Sequence, residues 1–265
     1  MFELLNKLSL SFIRLNRFGI DIVLSDDLIL PIKWYGLSYL IAYFTIKALV
    51  KSRLKQIGSN KDKSIEMLGE VVLLSGIIGG RLWYLIIRYF EFGIPVYVSA
   101  FKIWEGGMAF QGGLLFGITS GLLWVYFTEK KYISLFSDIV LSFLPLGIFI
   151  GRLGNYLNAE FMYEVTSFSL PACLFASIVE GIIPFILLQL IWYSTKYRPY
   201  NISLTFGLFY GIARFVTDLF RTEPVYFWGL KLSQINCSII ILFSCITLLL
   251  RNAWFKQKHK LVRLQ

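Results

Sequence analysis

Long apolar runs joined by short polar connections restrict how this chain can fold. Hydrophobic residues make up 57% of its 265 residues and charged residues only 16%, whereas a soluble domain carries about a quarter charged residues. A chain this apolar lacks the polar groups to cover a surface that faces water, so lipid is the solvent that suits it. We therefore predict an all-α, polytopic membrane protein with about seven transmembrane helices.

Seven apolar runs approach or reach the roughly 17–25 residues that a helix needs to cross a bilayer. They lie at residues 34–50, 68–90, 108–127, 133–150, 170–194, 203–220 and 235–250. The chain contains no internal repeat, so we expect a single integral membrane domain over residues 1–265. It consists of an N-terminal segment (1–33), a seven-helix bundle (34–250) and a basic tail (251–265). The segment 2–20 is amphipathic and is expected to lie along the membrane surface.

Lysine and arginine alternate between abundant and sparse from one connection to the next. The basic connections contain Lys51, Arg53, Lys55, Lys61 and Lys63, then Lys130 and Lys131, then Lys196 and Arg198, and finally the tail with Arg251, Lys256, Lys258, Lys260 and Arg263. The other connections contain Arg88 and Lys102, then Arg152, then Arg221 and Lys231. Because basic connections face the cytoplasm, the N-terminus is predicted outside and the C-terminus in the cytoplasm. Most of the positive charge lies in these connections, so no binding to nucleic acid is expected. The basic residues of the N-terminal segment blur the alternation and are accompanied by acidic ones: Lys7, Arg14, Arg17 and Lys33 with Asp21, Asp26 and Asp27.

The cysteines and the histidine give no sign of a metal site. Cys173, Cys237 and Cys245 lie inside apolar runs without the spacing of metal ligands, and they are odd in number. His259 belongs to the basic tail. We expect neither a disulfide framework nor a bound metal.

Four segments place polar residues near the predicted outer ends of the spans, where burial of charge is costly unless the groups pair or line a cavity. They are residues 34–36, 104–113, 151–160 and 210–221, and Arg81 in the second span follows Gly79 and Gly80. Several arginines and two carboxylates thereby gather at one side of the membrane. This arrangement predicts a pocket for an anionic headgroup.

The spacing inside these segments indicates a use for each, together with an alternative. The two glycine pairs of residues 104–113 either let backbone line a cavity or let helices pack closely through small residues. Arg152 and Asn155 would share a helix face and suit a phosphate, or they belong to a polar exit loop. Arg214 and Asp218 have the spacing of a helical ion pair, which would simply neutralise both charges. From the residues alone an enzyme, a lipid-binding protein and an anion transporter all remain open.

The same segments, in order along nearly the whole chain, resemble the prolipoprotein diacylglyceryl transferase family. The strongest match is Gly151 to Glu160, which reads G-R-L-G-N-Y-L-N-A-E and is similar to the family signature. Weaker matches to family motifs are Trp34-Tyr35-Gly36 in the first span, Gly79-Gly80-Arg81 in the second, the glycine-rich stretch from Trp104 to Gly113, and Tyr210-Gly211 with Arg214-Phe215 and Phe220-Arg221 in the late helix. Seven spans with an outside N-terminus also fit this family.

The resemblance implies a transfer reaction in the bacterial plasma (inner) membrane, with the active site toward the extracytoplasmic side. The diacylglyceryl group of phosphatidylglycerol would move to the thiol of a lipobox cysteine in a prolipoprotein, the first step of lipoprotein maturation. Glycerol phosphate would leave. The implied partners are phosphatidylglycerol, prolipoprotein lipobox segments and membrane lipid, and no cofactor is implied.

The resemblance also implies roles for individual residues. Arg152 and Arg214 would stabilise negative charge on the leaving phosphate, and Glu160 would position an arginine or the glycerol. The predicted catalytic residues are Arg152, Arg214, Glu160 and Asp218. The predicted substrate-binding residues are Tyr35, Arg81, Gln111, Gly112, Gly113, Gly154, Asn155, Asn158 and Arg221.

The chain departs from the family pattern at several places, among them a mild change of the late-helix glutamate to Asp218, and two of the departures remove groups that can titrate. Gln111 replaces the histidine of the family's H-G-G, and glutamine cannot accept a proton at neutral pH. The base for the thiol would then be Glu160, Asp218, Tyr35 or the substrate phosphate. The fifth-span pattern P-S-Q-L-Y-E reads P-A-C-L-F-A at residues 171–176, without the tyrosine hydroxyl and the carboxylate. An active but divergent transferase is one hypothesis, and a paralogue that binds an anionic phospholipid without transferring it, or acts on another acceptor, is the alternative.

Overall fold

Each predicted apolar run corresponds to a helix in the structure. The structure is a computed structural model that describes residues 13–16, 19–25, 28–92, 107–158, 171–220 and 229–262. The helices in these ranges are α1 (Trp34–Gln56), α2 (Asp62–Phe92), α3 (Phe110–Thr128), α4 (Ile133–Leu157), α5 (Ala172–Ser194), α6 (Asn201–Leu219) and α7 (Leu232–Val262). A 3-10 turn, Lys130–Tyr132, precedes α4.

The length and composition of these helices suit a membrane. In the described ranges, five helical segments are long and apolar enough to cross one: Asp62–Phe90, Lys130–Leu157, Ala172–Ser194, Asn201–Leu219 and Ser233–Ala253. Large apolar side chains also face outward, and Phe90, Phe127 and Leu249 are 80%, 77% and 70% exposed. Such a surface is suited to contact with lipid. The fold is that of a multi-pass membrane protein, while the count of seven spans and the outside N-terminus stay predictions.

The N-terminal segment corrects the all-α prediction, which holds only from Trp34 onward. Three strands, β1 (Ile13–Asn16), β2 (Gly19–Ser25) and β3 (Leu28–Lys33), form an antiparallel sheet in the order β1-β2-β3. The physical reason is a period of two, since Ile20, Ile22 and Leu24 alternate with other residues along β2. This period favours a strand. The prediction of an amphipathic segment at residues 2–20 did not consider strands and ended at the second residue of β2, and residues 2–12 of that segment lie outside the described residues.

A hydrophobic core lies at one end of the bundle, where α1 ends, α2 begins, α3 ends and α4 begins. Its buried members are Val50, Leu54, Ile65, Leu68, Val125, Phe136, Ile139 and Phe143. The basic connections after α1 and α3 adjoin this end, which the charge distribution predicts to be cytoplasmic. The polar signature at the end of α4 lies farther along the bundle. Arg152 is nine residues beyond Phe143, about 14 Å along a helix axis.

Arg53 is a buried helix residue and not a loop charge as the sequence predicted, because α1 continues to Gln56. Its guanidinium donates through Nη2 to Gln189 Oε1 at 2.6 Å. The guanidinium carbon also lies 4.5 Å from the centre of the Trp192 ring and 4.9 Å from that of Phe143. Cation–π contacts of this kind stabilise a desolvated guanidinium, and here they join α1 to α4 and α5.

Candidate active site with a buried glutamate between two arginines

Three of the four predicted catalytic residues lie together around a residue that the sequence motifs did not include. Arg152 of α4 donates through Nη2 to Glu180 Oε2 at 2.8 Å, and Arg214 of α6 donates through Nη1 to Glu180 Oε1 at 3.2 Å. Arg214 Nη2 lies 3.2 Å from Asp218 Oδ1. The predicted ion pair between Arg214 and Asp218 is thus confirmed. Helices α4, α5 and α6 each contribute a charged group to this site.

Glu180 is fully buried, and both of its carboxylate oxygens accept hydrogen bonds. The Thr217 hydroxyl donates to Oε1 at 2.5 Å, in addition to the two guanidiniums. A buried carboxylate is tolerated when its lone pairs are satisfied in this way. We call Arg152, Glu180, Arg214, Thr217 and Asp218 the arginine–carboxylate cluster.

The position of Glu180 follows from a local irregularity in α5. This helix begins as Ala172–Ala176, widens into a π-helical turn at Ser177–Ile182 and continues as Ile183–Ser194. Glu180 lies in the π turn, and such turns occur often at functional sites. The next residue, Gly181, touches α4, since an added Cβ would lie 2.7 Å from Phe149 Cβ. Phe149 is three residues before Arg152, so this close approach brings Glu180 to the arginine.

Helix α6 is held by α7 in a similar way. An added Cβ at Gly211 would lie 2.7 Å from Ile241 Cγ1, so α6 and α7 approach closely one turn before Arg214. The Lys231 ammonium, at the start of α7, donates to the backbone carbonyl of Asp218. The backbone N–H of Lys231 donates to Gln234 Oε1 at 3.0 Å. Lys231, which the sequence assigned to an outer connection, is therefore buried and fastens the end of α6.

The charges of the arginine–carboxylate cluster balance, yet its arginines remain partly accessible. Two guanidiniums face two carboxylates, and the carboxylates of Glu180 and Asp218 have no exposed surface. The side chains of Arg152 and Arg214 are 20% and 15% exposed. A guanidinium has five N–H donors in a planar fork that matches a phosphate. The cluster can therefore present positive groups to an anion while it stays internally neutral.

Of the signature asparagines, Asn155 lies in the last turn of α4 and Asn158 is the residue that follows the helix. Because α4 continues to Leu157, Arg152 and Asn155 share a helix face, as the sequence predicted. Gly154, Asn155 and Asn158 are all buried, and the backbone N–H of Asn158 donates to the carbonyl of Gly154 at 3.0 Å. The amide side chains thus lie at the same end of α4 as Arg152. Their role in substrate binding stays a prediction.

The glycine-rich segment packs α3 against α2. An added Cβ at Gly112 would overlap the carbonyl oxygen of Gly79, and one at Gly113 would lie 3.2 Å from the carbonyl oxygen of Gly76. The alternative of helix packing through small residues accounts for these positions. Binding of substrate by Gly112 and Gly113 stays a prediction, and Gln111 beside them is exposed.

Arg81 is buried where α2 meets the segment before α3. Its Nη1 donates to the carbonyl of Gly107 at 2.8 Å, and its guanidinium carbon lies 5.4 Å from the Tyr84 ring centre. Gly107 has a φ of +84°, a left-handed conformation that glycine adopts at little cost. These contacts give Arg81 a structural use, and its predicted contact with substrate stays a prediction.

Some predicted site residues lie outside the described residues. Glu160 and Arg221 are among them, as is Trp104 of the glycine-rich motif. Tyr35 lies in the first turn of α1, but its side chain is outside the description. The roles assigned to these residues therefore stay predictions.

Sequence reasoning missed Glu180, although a signal was present. It is the only acidic residue between Pro171 and Ser194, and an ionisable residue inside a span is a functional candidate by default. The family pattern instead drew attention to Ala176, four residues earlier, where a carboxylate is lost. Glu180 lies in the same helix as Ala176, one turn later, and its buried carboxylate is the partner of both arginines.

The fold and the site together define a class, a helical multi-pass membrane protein with an arginine pair gathered among its helices. The family model described as prolipoprotein diacylglyceryl transferase matches residues 23–250, and the chain belongs to this family. The resemblance found in the sequence motifs is thereby confirmed. Membership favours the transferase hypothesis over an unrelated anion transporter.

Curated relatives support the same assignment. A phosphatidylglycerol–prolipoprotein diacylglyceryl transferase of Pasteurella multocida is 31% identical over 241 residues, which cover 82% of this chain and 87% of the relative. A protein of the same name from Coxiella burnetii is 31% identical over 254 residues, 87% of this chain and 93% of the relative. One from Pseudoalteromonas atlantica is 34% identical over 215 residues, 76% and 75% of the two chains. The similarity therefore extends over most of the chain.

Proposed function

We propose that the protein transfers the diacylglyceryl group of phosphatidylglycerol to the thiol of a lipobox cysteine in a prolipoprotein. The observation that carries this proposal is the convergence of Arg152 and Arg214 on one buried carboxylate, with both guanidiniums partly accessible. Family membership and the names of the relatives support the same reaction.

The chemistry requires an acceptor for negative charge. A carbon–sulfur bond forms between the cysteine and the diacylglyceryl carbon, while the bond from that carbon to a phosphate oxygen breaks. Glycerol phosphate leaves with the bonding electrons, and the thiol proton passes to a base because the thiolate is the nucleophile. Arg152 and Arg214 stabilise the charge that develops on the leaving phosphate.

The departures of this chain from the family pattern reduce the number of groups that can act as the base for the thiol. Gln111 cannot take a proton, and Asp218 is engaged with Arg214 as a counter-ion. We assign Asp218 to holding that arginine, which leaves Glu160, Tyr35 or the substrate phosphate to accept the thiol proton.

We place the site at the extracytoplasmic side of the bacterial inner membrane. The support is the polarity of the bundle, since the arginine–carboxylate cluster lies away from the core end that adjoins the basic connections. Phosphatidylglycerol and the lipobox segment would both reach this site from the membrane.

The test is transfer of radiolabelled diacylglyceryl from phosphatidylglycerol to a lipobox peptide by purified protein. Arg152→Ala is expected to lower the rate by about 100- to 1000-fold, the usual effect of removing one stabilising donor. The matched control is Arg198→Ala, which removes an exposed arginine from the connection between α5 and α6 and should leave the rate unchanged. Equal rates for Arg152→Ala and the native protein would contradict the proposed role of the arginine.

A binding paralogue is the second candidate, and Gln111 is the observation that favours it. In that case the protein would bind phosphatidylglycerol, the binding would depend on Arg152, and no peptide would be labelled. Labelling that depends on Arg152 would exclude it and would show that the family histidine is dispensable in this chain.

A further inference from the structure

Glu180 is the common partner of both arginines, so it can affect both the orientation and the charge of the pair. One oxygen faces Arg152 at 2.8 Å and the other faces Arg214 at 3.2 Å, so a single carboxylate sets the orientation of both guanidiniums. The Thr217 hydroxyl at 2.5 Å and the contact of Gly181 with Phe149 restrict how the carboxylate can move. Three helices are thereby joined at this one carboxylate.

We propose that Glu180 is a positioning residue that acts as a built-in counter-ion, orienting Arg152 and Arg214 and weakening their attraction for the substrate phosphate. The inference rests on the proposed function, because it assigns Glu180 a role toward the phosphatidylglycerol headgroup. Glu180 does not touch the substrate in this account and acts only through the arginines.

The donor inventory allows Glu180 and a phosphate to be held at the same time. Each guanidinium has five N–H donors, and Glu180 accepts one hydrogen bond from each arginine. The arginine side chains keep 20% and 15% of their surface, whereas Glu180 has none. A phosphate would therefore contact the exposed side of two guanidiniums whose buried side is already oriented by Glu180.

The charge balance predicts what Glu180 does to affinity. Within the cluster two cations face two anions before the headgroup binds, and the buried Lys231 ammonium lies nearby on the backbone carbonyl of Asp218. A buried carboxylate close to the phosphate repels it through a medium of low dielectric. Removal of the Glu180 charge should tighten the binding of an anionic lipid in the ground state. The same change should loosen the orientation of the two guanidiniums, on which catalysis depends.

The experiment compares Glu180→Gln and Glu180→Asp in the purified full-length protein. Glu180→Gln keeps the shape and removes the charge, so KM for phosphatidylglycerol should fall by at least about threefold, while kcat falls by about 10- to 100-fold. Glu180→Asp keeps the charge but draws the carboxylate back by one methylene. Its KM should stay near the native value while kcat still falls.

The opposite changes in KM and kcat separate positioning from a purely structural role. If Glu180 only stabilised the fold, its variants would lower the folded fraction, and KM of the folded enzyme would not change. A KM for Glu180→Gln that is unchanged or higher overturns the proposal. Glu70→Gln is the matched control, because it makes the same substitution at a carboxylate that is 53% exposed on α2, and both constants should be unchanged.

Two further measurements keep the test independent of folding and of the proposed reaction. If Glu180→Gln does not fold, Thr217→Val removes one hydrogen bond to Oε1 while the charge remains, and it should lower kcat without changing KM.

Binding of phosphatidylglycerol in detergent micelles tests the charge effect without turnover. Tighter binding by Glu180→Gln than by the native protein supports the inference even if no transfer occurs, and equal or weaker binding overturns it. An absence of transfer by the native protein contradicts only the proposed function.

Discussion

The Arg214 guanidinium uses different nitrogens for its two acidic partners. Nη1 donates to Glu180 across α5 and α6, and Nη2 meets Asp218 one turn along its own helix. A planar guanidinium can hold two carboxylates and a phosphate in defined directions, whereas an ammonium group is a compact point charge. The geometry of this residue therefore matters as much as its charge.

Arg214→Lys keeps the charge and should lower the rate of diacylglyceryl transfer by about 100-fold, because a lysine cannot reproduce the fork and misplaces the phosphate. The measurement is kcat with phosphatidylglycerol and a lipobox peptide. The control is Arg198→Lys, which should retain the native rate. A native rate for Arg214→Lys would show that charge alone suffices at this position.

At the scale of elements, close helix contacts through glycine place the site. Gly181 lets the π turn of α5 approach α4, Gly211 lets α6 approach α7, and Gly112 lets α3 approach α2. Each of these glycines lies within three residues of a polar side chain: Glu180 beside Gly181, Arg214 after Gly211, and Gln111 beside Gly112. A membrane bundle has no hydrophobic force between its helices, so such small residues set how closely the polar groups meet.

Gly181→Ala should separate α5 from α4 and lower the free energy of unfolding by about 1–3 kcal/mol, the usual effect of overpacking. Thermal unfolding in detergent measures this change, and the transfer rate should fall with it because Glu180 is displaced. Gly117→Ala is the control. Its added methyl would meet its neighbours at 3.5 Å, an ordinary contact, so stability should be unchanged or slightly higher. Equal unfolding temperatures for both variants would contradict this account.

The carboxylate of Glu129 joins two segments at the core end of the bundle. The Ser64 hydroxyl donates to Glu129 Oε1 at 2.6 Å and the Lys61 ammonium donates to the same oxygen at 2.9 Å. These hydrogen bonds, first from Ser64 and then from Lys61, hold the pKa of Glu129 below its usual value. The contact links the segment before α2 to the end of α3.

The lowered pKa of Glu129 predicts a pH dependence of stability. The ionised carboxylate stabilises the fold above its unfolded pKa of about 4.3, and this contribution is lost as the pH falls through the lower folded pKa. Glu129→Gln should therefore unfold at a lower temperature than the native protein at pH 7, and the difference should shrink toward pH 3. A difference that stays constant across this range would show that the pair does not depend on ionisation.

At the scale of the whole molecule, apolar and polar residues are segregated along the bundle. The hydrophobic core occupies one end, together with Arg53 and its aromatic partners, and the arginine–carboxylate cluster lies toward the other. The basic connections adjoin the core end. This segregation supports the proposal of an extracytoplasmic site, together with the prediction that the core end is cytoplasmic.

Asn60→Cys tests this orientation, because Asn60 is exposed in the connection between α1 and α2. A membrane-impermeant maleimide should label this cysteine in inverted vesicles and not in intact spheroplasts. The native protein measures the background from Cys173, Cys237 and Cys245. Labelling in intact spheroplasts would place this connection outside and reverse the proposed topology.

The sequence by itself determined the membrane class, the positions of the seven helices, the family and the ion pair between Arg214 and Asp218. Apolar runs and the spacing of these two residues are local properties, so they can be recognised without knowing which helices touch. The alternation of apolar residues in β2 is also a local pattern, but the prediction for the N-terminal segment extended only over residues 2–20 and did not use it.

Only the tertiary structure decided that Arg152 and Arg214 meet at Glu180. These three residues are far apart in the sequence, and nothing in their spacing tells which helix faces which. The meeting depends on a π turn and on Gly181 against Phe149, where the absence of one methyl group decides the distance between two helices. Ionic partners in a bundle are set by packing at close range, which apolar periodicity and charge counts along a chain do not encode.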